Sequence, residues 1–329
     1  MQVVQRAVNV VEGGNVRPVE PKEAAQGRID YVKVRNWGSG QSADLGSLEV
    51  ESFTPGEKGG PGATGGAAPR ASEAKPAREP LFHEQLARRL AQLQEAGELQ
   101  VAGRAGAARL PPFQRWSFRE ERYIQWLADM QAAHLTLEAA IADATTVAST
   151  EHYGDSGSGR GVFAALERFG EAAGLDRSLD IAADLNNIAR SSTLEGPIHL
   201  VPGEDAQAYC AYLGGLSTQC MEAGTLEERC DGAQRLLANA YSLHIAHLTT
   251  GMRIGAAAAE KLDLFPVRAL NYFRTWPPAV GKDPLALLLR NVNAAGAALD
   301  APQREGVMAE LKAAFPKVSL LLSALAHEH

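Results

Sequence analysis

The sequence has few cysteines and few aromatic residues for its length. Only Cys210, Cys220 and Cys230 occur among 329 residues, and aromatic residues make up 6%. An odd number of cysteines in a chain of this size excludes a disulfide-stabilised secreted scaffold and is typical of free thiols in a reducing compartment. Since 45% of the residues are hydrophobic, we expect stability to come from an ordinary apolar core.

The chain also lacks an excess of basic residues and any long apolar run. It has 32 Lys and Arg against 39 Asp and Glu, which gives a net charge of -7. The electrostatic field of such a chain does not attract nucleic acid, and we predict no nucleic-acid partner. No stretch approaches the roughly 20 apolar residues that a membrane-spanning helix needs, and we predict no membrane span. Residues 1–13 have the features of neither a secretory signal nor a transit peptide.

Residues 1–80 differ in composition from the rest of the chain. They hold twelve of the 32 glycines and seven of the 17 prolines, most densely at positions 55–66, where few buried side chains could offset the entropy lost on ordering. Residues 3–11 and 29–37 alternate with the two-residue period of a half-buried strand. We predict a flexible, partly strand-forming N-terminal extension that docks on its own core or on a partner; simple disorder is the alternative.

From Leu81 onward the apolar residues follow the helical period of 3.6. One stripe comprises Phe82, Leu86, Leu90 and Leu93, and a longer one comprises Tyr123, Trp126, Leu127, Met130, Leu137 and Ile141. Further helices are predicted over 162–170, 177–189, 205–213, 226–262, 285–299 and 303–325. No second strand-rich segment and no fixed repeat interrupt them. Residues 81–329 are therefore predicted to form an all-α domain.

The run 240–262 holds Gly251 and Gly255 inside an otherwise helix-prone sequence. Each interior glycine costs about 1 kcal/mol relative to alanine, so we expect these two to let another helix pack closely or to let a flat ligand lie against the backbone. From Tyr241 to Lys261 the pattern Tyr-x-x-x-x-Ala-His-x-x-x-Gly-x-x-Ile-Gly-x-x-x-Ala-Glu-Lys resembles the distal helix of plant and algal heme oxygenases. Similar motifs occur in the family's order at 174–178, 184–185, 209–216, 270–276 and 291–292.

The resemblance covers roughly residues 81–325 and implies a heme-oxygenase-like multi-helix bundle. It implies heme or another tetrapyrrole as the bound small molecule, ferredoxin or another plastid protein as a partner, and a chloroplast location. It assigns six cofactor-binding positions. Gln94 occupies the iron-ligand position on the first helix, and His247 is the distal histidine. Thr250 and Gly251 stand where the family has its paired glycines. Arg253 is an arginine displaced by one place, and Asn293 holds a propionate-facing position.

Three of these positions depart from the family pattern. Gln94 replaces the axial histidine, and an amide is a poor ligand for heme iron. Thr250 adds a β-branched side chain where the family has glycine, and Asn293 replaces an arginine. We predict a heme oxygenase family protein that has lost ordinary heme cleavage and acts as a tetrapyrrole-binding or partner-binding protein.

Two alternatives to this prediction stay open. The first is an active heme oxygenase that cleaves heme to biliverdin, iron and CO with electrons from ferredoxin. The second is an interaction protein that acts through the N-terminal extension.

The other histidines give weaker signals. His134 and Glu138 lie four residues apart on a predicted helix, and His244 precedes His247 by three. No Glu-x-x-His motif accompanies His134 and Glu138, so we predict a solvated or half-buried pair there. The spacing of His244 and His247 is too weak a signal by itself to indicate zinc, and no metal site is predicted. For His247 we hold two interpretations, a structural hydrogen bond and ligation of a tetrapyrrole. His83 is predicted to lie at the surface.

Overall fold

In a computed structural model of the chain, the structure describes residues 79–99, 113, 116, 118–150, 157–191, 201–280 and 283–326. Within these ranges the chain forms helices and turns and no strand. The predicted all-α class is therefore confirmed for this part of the molecule. The strands predicted at 3–11 and 29–37, and the glycine-rich and proline-rich segment at 55–66, lie outside the described residues.

Ten α-helices account for the regular structure of the described ranges. They are α1 (Phe82–Glu95), α2 (Glu120–Thr150), α3 (Gly157–Leu166), α4 (Ser178–Ser191), α5 (Glu204–Glu222), α6 (Leu226–Ala246), α7 (Met252–Lys261), α8 (Asn271–Arg274), α9 (Pro284–Ala298) and α10 (Ala301–Leu320). A π-helical turn, His247–Gly251, joins α6 to α7. Short 3₁₀ turns occupy Glu167–Phe169, Glu171–Ala173 and Pro278–Val280. None of the helices described is long and apolar enough to cross a membrane.

Both apolar stripes singled out in the sequence face the core. All four residues of the α1 stripe and all six of the α2 stripe are buried. Helix α1 packs on α9 and α10, and α2 packs on α5 and α4. Helix α5 runs nine residues beyond its predicted end, because Leu216 and Cys220 continue its buried face. Cys210, Cys220 and Cys230 are free thiols.

Helix α6 lies at the centre of the bundle. It packs against α10, α5, α3 and α2, and every residue from Leu236 to His244 is buried. A helix buried on all sides carries apolar residues around its whole circumference, with few polar ones. Helix α6 begins with a capping box, in which the Thr225 hydroxyl accepts from the Glu228 N–H and the Glu228 carboxylate accepts from the Thr225 N–H, both at 3.2 Å.

The predicted continuous helix over 226–262 contains one irregular turn. The backbone widens into a π-helical turn at His247–Gly251 and then returns to α-helix up to Lys261. Gly255 lies against the ring of Phe273: a Cβ atom at Gly255 would come within 2.6 Å of Phe273 Cγ. The glycine therefore allows α8 to pack closely, which is one of the two roles expected from the sequence. Widened turns of this kind are frequent at functional sites.

Candidate functional site

Three histidines from two distant parts of the chain meet in the core beside this turn. His134 lies on α2, His244 on α6 and His247 in the π-helical turn. The ring centroid of His134 is 5.5 Å from that of His244 and 6.2 Å from that of His247. All three side chains are at most 3% exposed. The structure thus joins two sequence motifs, His134 with Glu138 and His244 with His247, that were interpreted separately.

Tyr272 lies at the centre of the histidine group. Its ring stacks on His247 with centroids 4.0 Å apart, and its hydroxyl lies 3.1 Å from His134 Nε2. Asp184 on α4 fixes this position, because its carboxylate accepts from the backbone N–H groups of Asn271 at 2.7 Å and Tyr272 at 2.9 Å. A side chain of α4 therefore fixes the beginning of α8, which carries Tyr272.

All three imidazoles are held in the neutral form. Burial lowers the pKa of His134, His244 and His247, and the positive charge of Arg177 lowers each further; for His244 the pKa falls to about 3. The backbone of Tyr272 partly offsets the lowering of the His247 pKa. Within the described part of the chain, neither ring nitrogen of His247 has a hydrogen-bond partner of normal geometry.

Arg177 is a buried cation of this region, at 2% exposure. Its guanidinium lies 3.9 Å from the ring centroid of Trp276, pairs with Asp180, and donates to the Thr275 carbonyl at 2.6 Å. These contacts tie the beginning of α4 to the segment after α8. The charge is thus neutralised and hydrogen-bonded inside the protein, as a buried cation requires.

Glu138 does not act with His134, although the two share one helix. Its carboxylate accepts from the backbone N–H groups of Arg177 at 2.8 Å and Ser178 at 3.0 Å, and from the Ser178 hydroxyl. It therefore caps the N-terminus of α4, where exposed N–H groups need acceptors. Burial raises the pKa of Glu138 to about 7 against these hydrogen bonds.

A cavity of about 130 Å³ adjoins the histidine group. Its walls come from α2, the end of α6, the π-helical turn, α7, α8 and the end of α10. The lining residues are Trp126, Met130, Ala246, His247, Thr250, Gly251, Ile254, Tyr272, Phe315, Val318, Ser319 and Leu322. The wall is thus mostly apolar. None of these twelve described residues carries a formal charge, since His247 is neutral.

The structure brings together three of the six residues predicted from the resemblance. His247, Thr250 and Gly251 line the cavity, whereas Gln94, Arg253 and Asn293 do not. Gln94 is half-buried near the end of α1.

The remaining two have other contacts. The Arg253 guanidinium lies 4.9 Å from the ring centroid of Phe113. The Asn293 side-chain oxygen accepts from the His83 backbone N–H at 3.1 Å and lies 2.9 Å from His83 Nδ1. His83, expected at the surface, is therefore half-buried between α1 and α9.

A tetrapyrrole does not fit this cavity as it stands. Pockets for ligands of drug size have volumes of about 300–1,000 Å³, and a macrocycle of four pyrroles needs a space in that range. The cavity holds about 130 Å³, and the backbone at Gly255 is covered by Phe273. In the described ranges, no group of three or more His, Cys, Asp or Glu side chains is arranged to hold a metal ion.

No protein-family model and no curated protein matches this chain. The likeness to heme oxygenases therefore depends on the motifs quoted above. Their strongest part, from Tyr241 to Lys261, coincides with α6, the π-helical turn and α7.

Sequence reasoning missed two parts of the site. The wall from Phe315 to Leu322 gave no local signal, since nothing in its sequence identifies its neighbours. For His134 a signal was present. It falls between Met130 and Leu137 on the apolar stripe of α2, at the spacing that places a side chain in the core.

Proposed function

We propose that this chain is a divergent, non-catalytic member of the heme oxygenase family, with a heme-oxygenase-like bundle that acts by binding a plastid protein partner. The observation that supports the loss of heme cleavage is the filling of the space beside the distal-helix motif by the chain's own side chains. Tyr272 stacks on His247 at 4.0 Å, and Phe273 covers Gly255.

The substituted positions support the same proposal. The iron-ligand position holds Gln94, which does not line the cavity next to His247. Thr250 occupies the wall where the family has glycine. Without an imidazole from the first helix and without space for a macrocycle, the axial coordination and oxygen pocket that heme chemistry needs are missing. What remains is a stable helical surface, and ferredoxin is the first partner to test because the family resemblance implies it.

The test is a titration of the purified full chain with heme, followed by absorbance, together with an assay containing heme, ferredoxin and a reducing system. We expect no Soret shift that depends on His247, and no biliverdin. Ferredoxin binding is measured separately by calorimetry without heme, and we expect binding there. His247→Gln is the test variant, and His83→Gln, which removes a histidine that does not line the cavity, is the control.

Three results would contradict the proposal in different ways. Steady biliverdin production would make the chain an active heme oxygenase. A Soret shift lost in His247→Gln and kept in His83→Gln would make it a tetrapyrrole-binding protein. Absence of ferredoxin binding would remove that partner.

A further inference from the structure

The cavity beside the π-helical turn has the size of a single six-membered ring. It holds about 130 Å³, and a cavity of about 150 Å³ lined by aliphatic and aromatic side chains is known to bind benzene. Trp126 and Tyr272 supply flat aromatic walls, and Met130, Ile254 and Leu322 supply aliphatic ones. Such walls favour an aromatic ligand, because ring faces and edges pack well against both types of side chain.

The electrostatics of the wall select a neutral ligand. None of the twelve described lining residues is charged at neutral pH, and transfer of an ion from water into an apolar space without a partner is strongly unfavourable. An anion or a cation of the same size would lose its hydration and find no opposite charge there.

Among the described residues, three side chains on the wall have polar atoms without a hydrogen-bond partner: the Trp126 indole N–H, the ring nitrogens of His247 and the Thr250 hydroxyl. Thr250 is 9% exposed, and among the described residues its hydroxyl has no partner. The neighbouring Thr249 hydroxyl, by contrast, donates to the Ile245 carbonyl at 2.6 Å, and the Ser319 hydroxyl donates to the Phe315 carbonyl at 2.9 Å. A buried hydroxyl without a partner is destabilising, and a ligand that supplies one recovers that loss.

The chain itself covers the ring nitrogens of His247. Tyr272 stacks on the His247 ring at 4.0 Å, and the backbone of Gly251 lies close to His247 Nδ1, since a Cβ there would be 3.1 Å from that nitrogen. The ring nitrogens are therefore shielded by the chain itself. A threonine hydroxyl rotates freely and both donates and accepts, so it can match either kind of ligand group.

We propose that this cavity binds a neutral, single-ring aromatic molecule of about the size of phenol, with its hydrogen-bonding group paired to the Thr250 hydroxyl. The site is separate from the proposed partner-binding function, because it involves a cavity of about 130 Å³ and a small ligand. It does not depend on the family resemblance.

The test is isothermal titration calorimetry of the full chain with two probes, phenol and benzene. We expect saturable binding of both in the millimolar range or tighter, with phenol bound about fivefold to tenfold more tightly, the gain of one hydrogen bond. Thr250→Val keeps the shape of the side chain and removes the hydroxyl. It should reduce phenol affinity to the level of benzene and leave benzene affinity within about twofold.

Thr249→Val is the matched control, because it removes a hydroxyl one residue away that does not line the cavity. It should leave both affinities unchanged. Ala246→Leu and, from the opposite wall, Val318→Phe fill the space and should abolish binding of both probes; each is checked for folding by circular dichroism.

Several results would overturn the inference. Absence of saturable binding of both probes to the folded wild-type chain would mean that the cavity holds only water. Binding that survives in a folded cavity-filling variant would place the probes elsewhere. Equal losses for phenol and benzene in Thr250→Val would remove the hydroxyl from recognition.

Discussion

At the scale of single residues, Glu138 and His134 show how burial changes the behaviour of groups that share one helix. Glu138 caps α4, and burial raises the pKa of its carboxyl to about 7. His134 lies deeper, where burial lowers the pKa of the imidazole well below its ordinary value. In each case desolvation disfavours the charged form, so the acid is protonated more easily and the base less easily.

The Glu138 carboxyl should make stability fall as the pH rises. In the folded state the Glu138 carboxyl keeps its proton up to about pH 7, whereas an unperturbed Glu loses it at about pH 4.5. The stabilisation that comes from this protonated carboxyl is therefore fully present below about pH 4.5 and is lost as the pH rises through 7. Between pH 5 and pH 8 this carboxyl should lower the unfolding free energy of wild type by roughly 2 to 3 kcal/mol. Glu138→Gln should not show this loss, so its unfolding free energy should rise by that amount relative to wild type over the same pH range. Urea unfolding at a series of pH values measures this difference.

Glu121→Gln is the control for that measurement. Glu121 lies on the same helix but is exposed, so its replacement should produce no such pH-dependent gain. An equal gain in both variants would mean that net charge, not the buried cap, causes the effect.

At the scale of elements, the junction of α7 and α8 depends on the absence of one side chain. Gly255 is buried, and an added Cβ would come within 2.6 Å of Phe273 Cγ. The aromatic ring belongs to the short helix that also carries Tyr272. Close packing at Gly255 therefore sets the distance between α7 and the residues of α8 that lie against it, Tyr272 and Phe273.

Replacement of Gly255 by alanine should destabilise the protein by about 1–3 kcal/mol, the usual range for overpacking, despite the helix propensity gained. Gly215→Ala is the matched control. Gly215 is also inside a helix but is exposed, with nothing within 4 Å of an added Cβ, and its replacement should stabilise by about 0.5–1 kcal/mol. Urea unfolding at pH 7 compares the two. A gain in stability for both variants would show that Phe273 does not pack on Gly255.

A second contact between elements lies on the other side of α6. Tyr212 on α5 donates its hydroxyl to Glu310 on α10, and Arg235 on α6 lies 3.2 Å from the same carboxylate. Lys317 Nζ is 4.1 Å from the Tyr212 ring centroid. Because Glu310 is largely buried, salt screens this group less than it screens a surface ion pair.

At the scale of the whole molecule, the buried histidines should make the fold sensitive to acid. Protonation of His244, whose pKa is about 3 in the folded state, requires the core to open, whereas an unfolded chain binds the proton near pH 6.5. The contribution of His244 is complete above about pH 6.5 and is lost as the pH falls towards 3, with a loss of about 2 kcal/mol between pH 7 and pH 5.

His244→Gln should reduce the loss of unfolding free energy between pH 7 and pH 5 by about 2 kcal/mol relative to wild type. The variant can be less stable at pH 7, since the comparison concerns only the change with pH. His83→Gln is the control, because His83 lies outside the buried group. Equal losses in wild type and His244→Gln would show that His244 is not kept neutral by the fold.

The sequence alone determined the helical class and the buried faces of the first two helices. Helical periodicity is a local property, so the stripes of α1 and α2 could be read without knowledge of their partners. The grouping of His247, Thr250 and Gly251 was predictable for the same reason, since five consecutive residues share one turn.

Only the tertiary structure decided which distant residues meet. His134 and Tyr272 are 138 positions apart, yet their side chains are hydrogen-bonded in the core. The volume of the cavity, the cover that Phe273 places over Gly255, and the position of Gln94 outside the cavity wall also depend on how helices pack. These properties follow from side-chain volumes summed over several helices, and such sums are fixed only when the chain has folded.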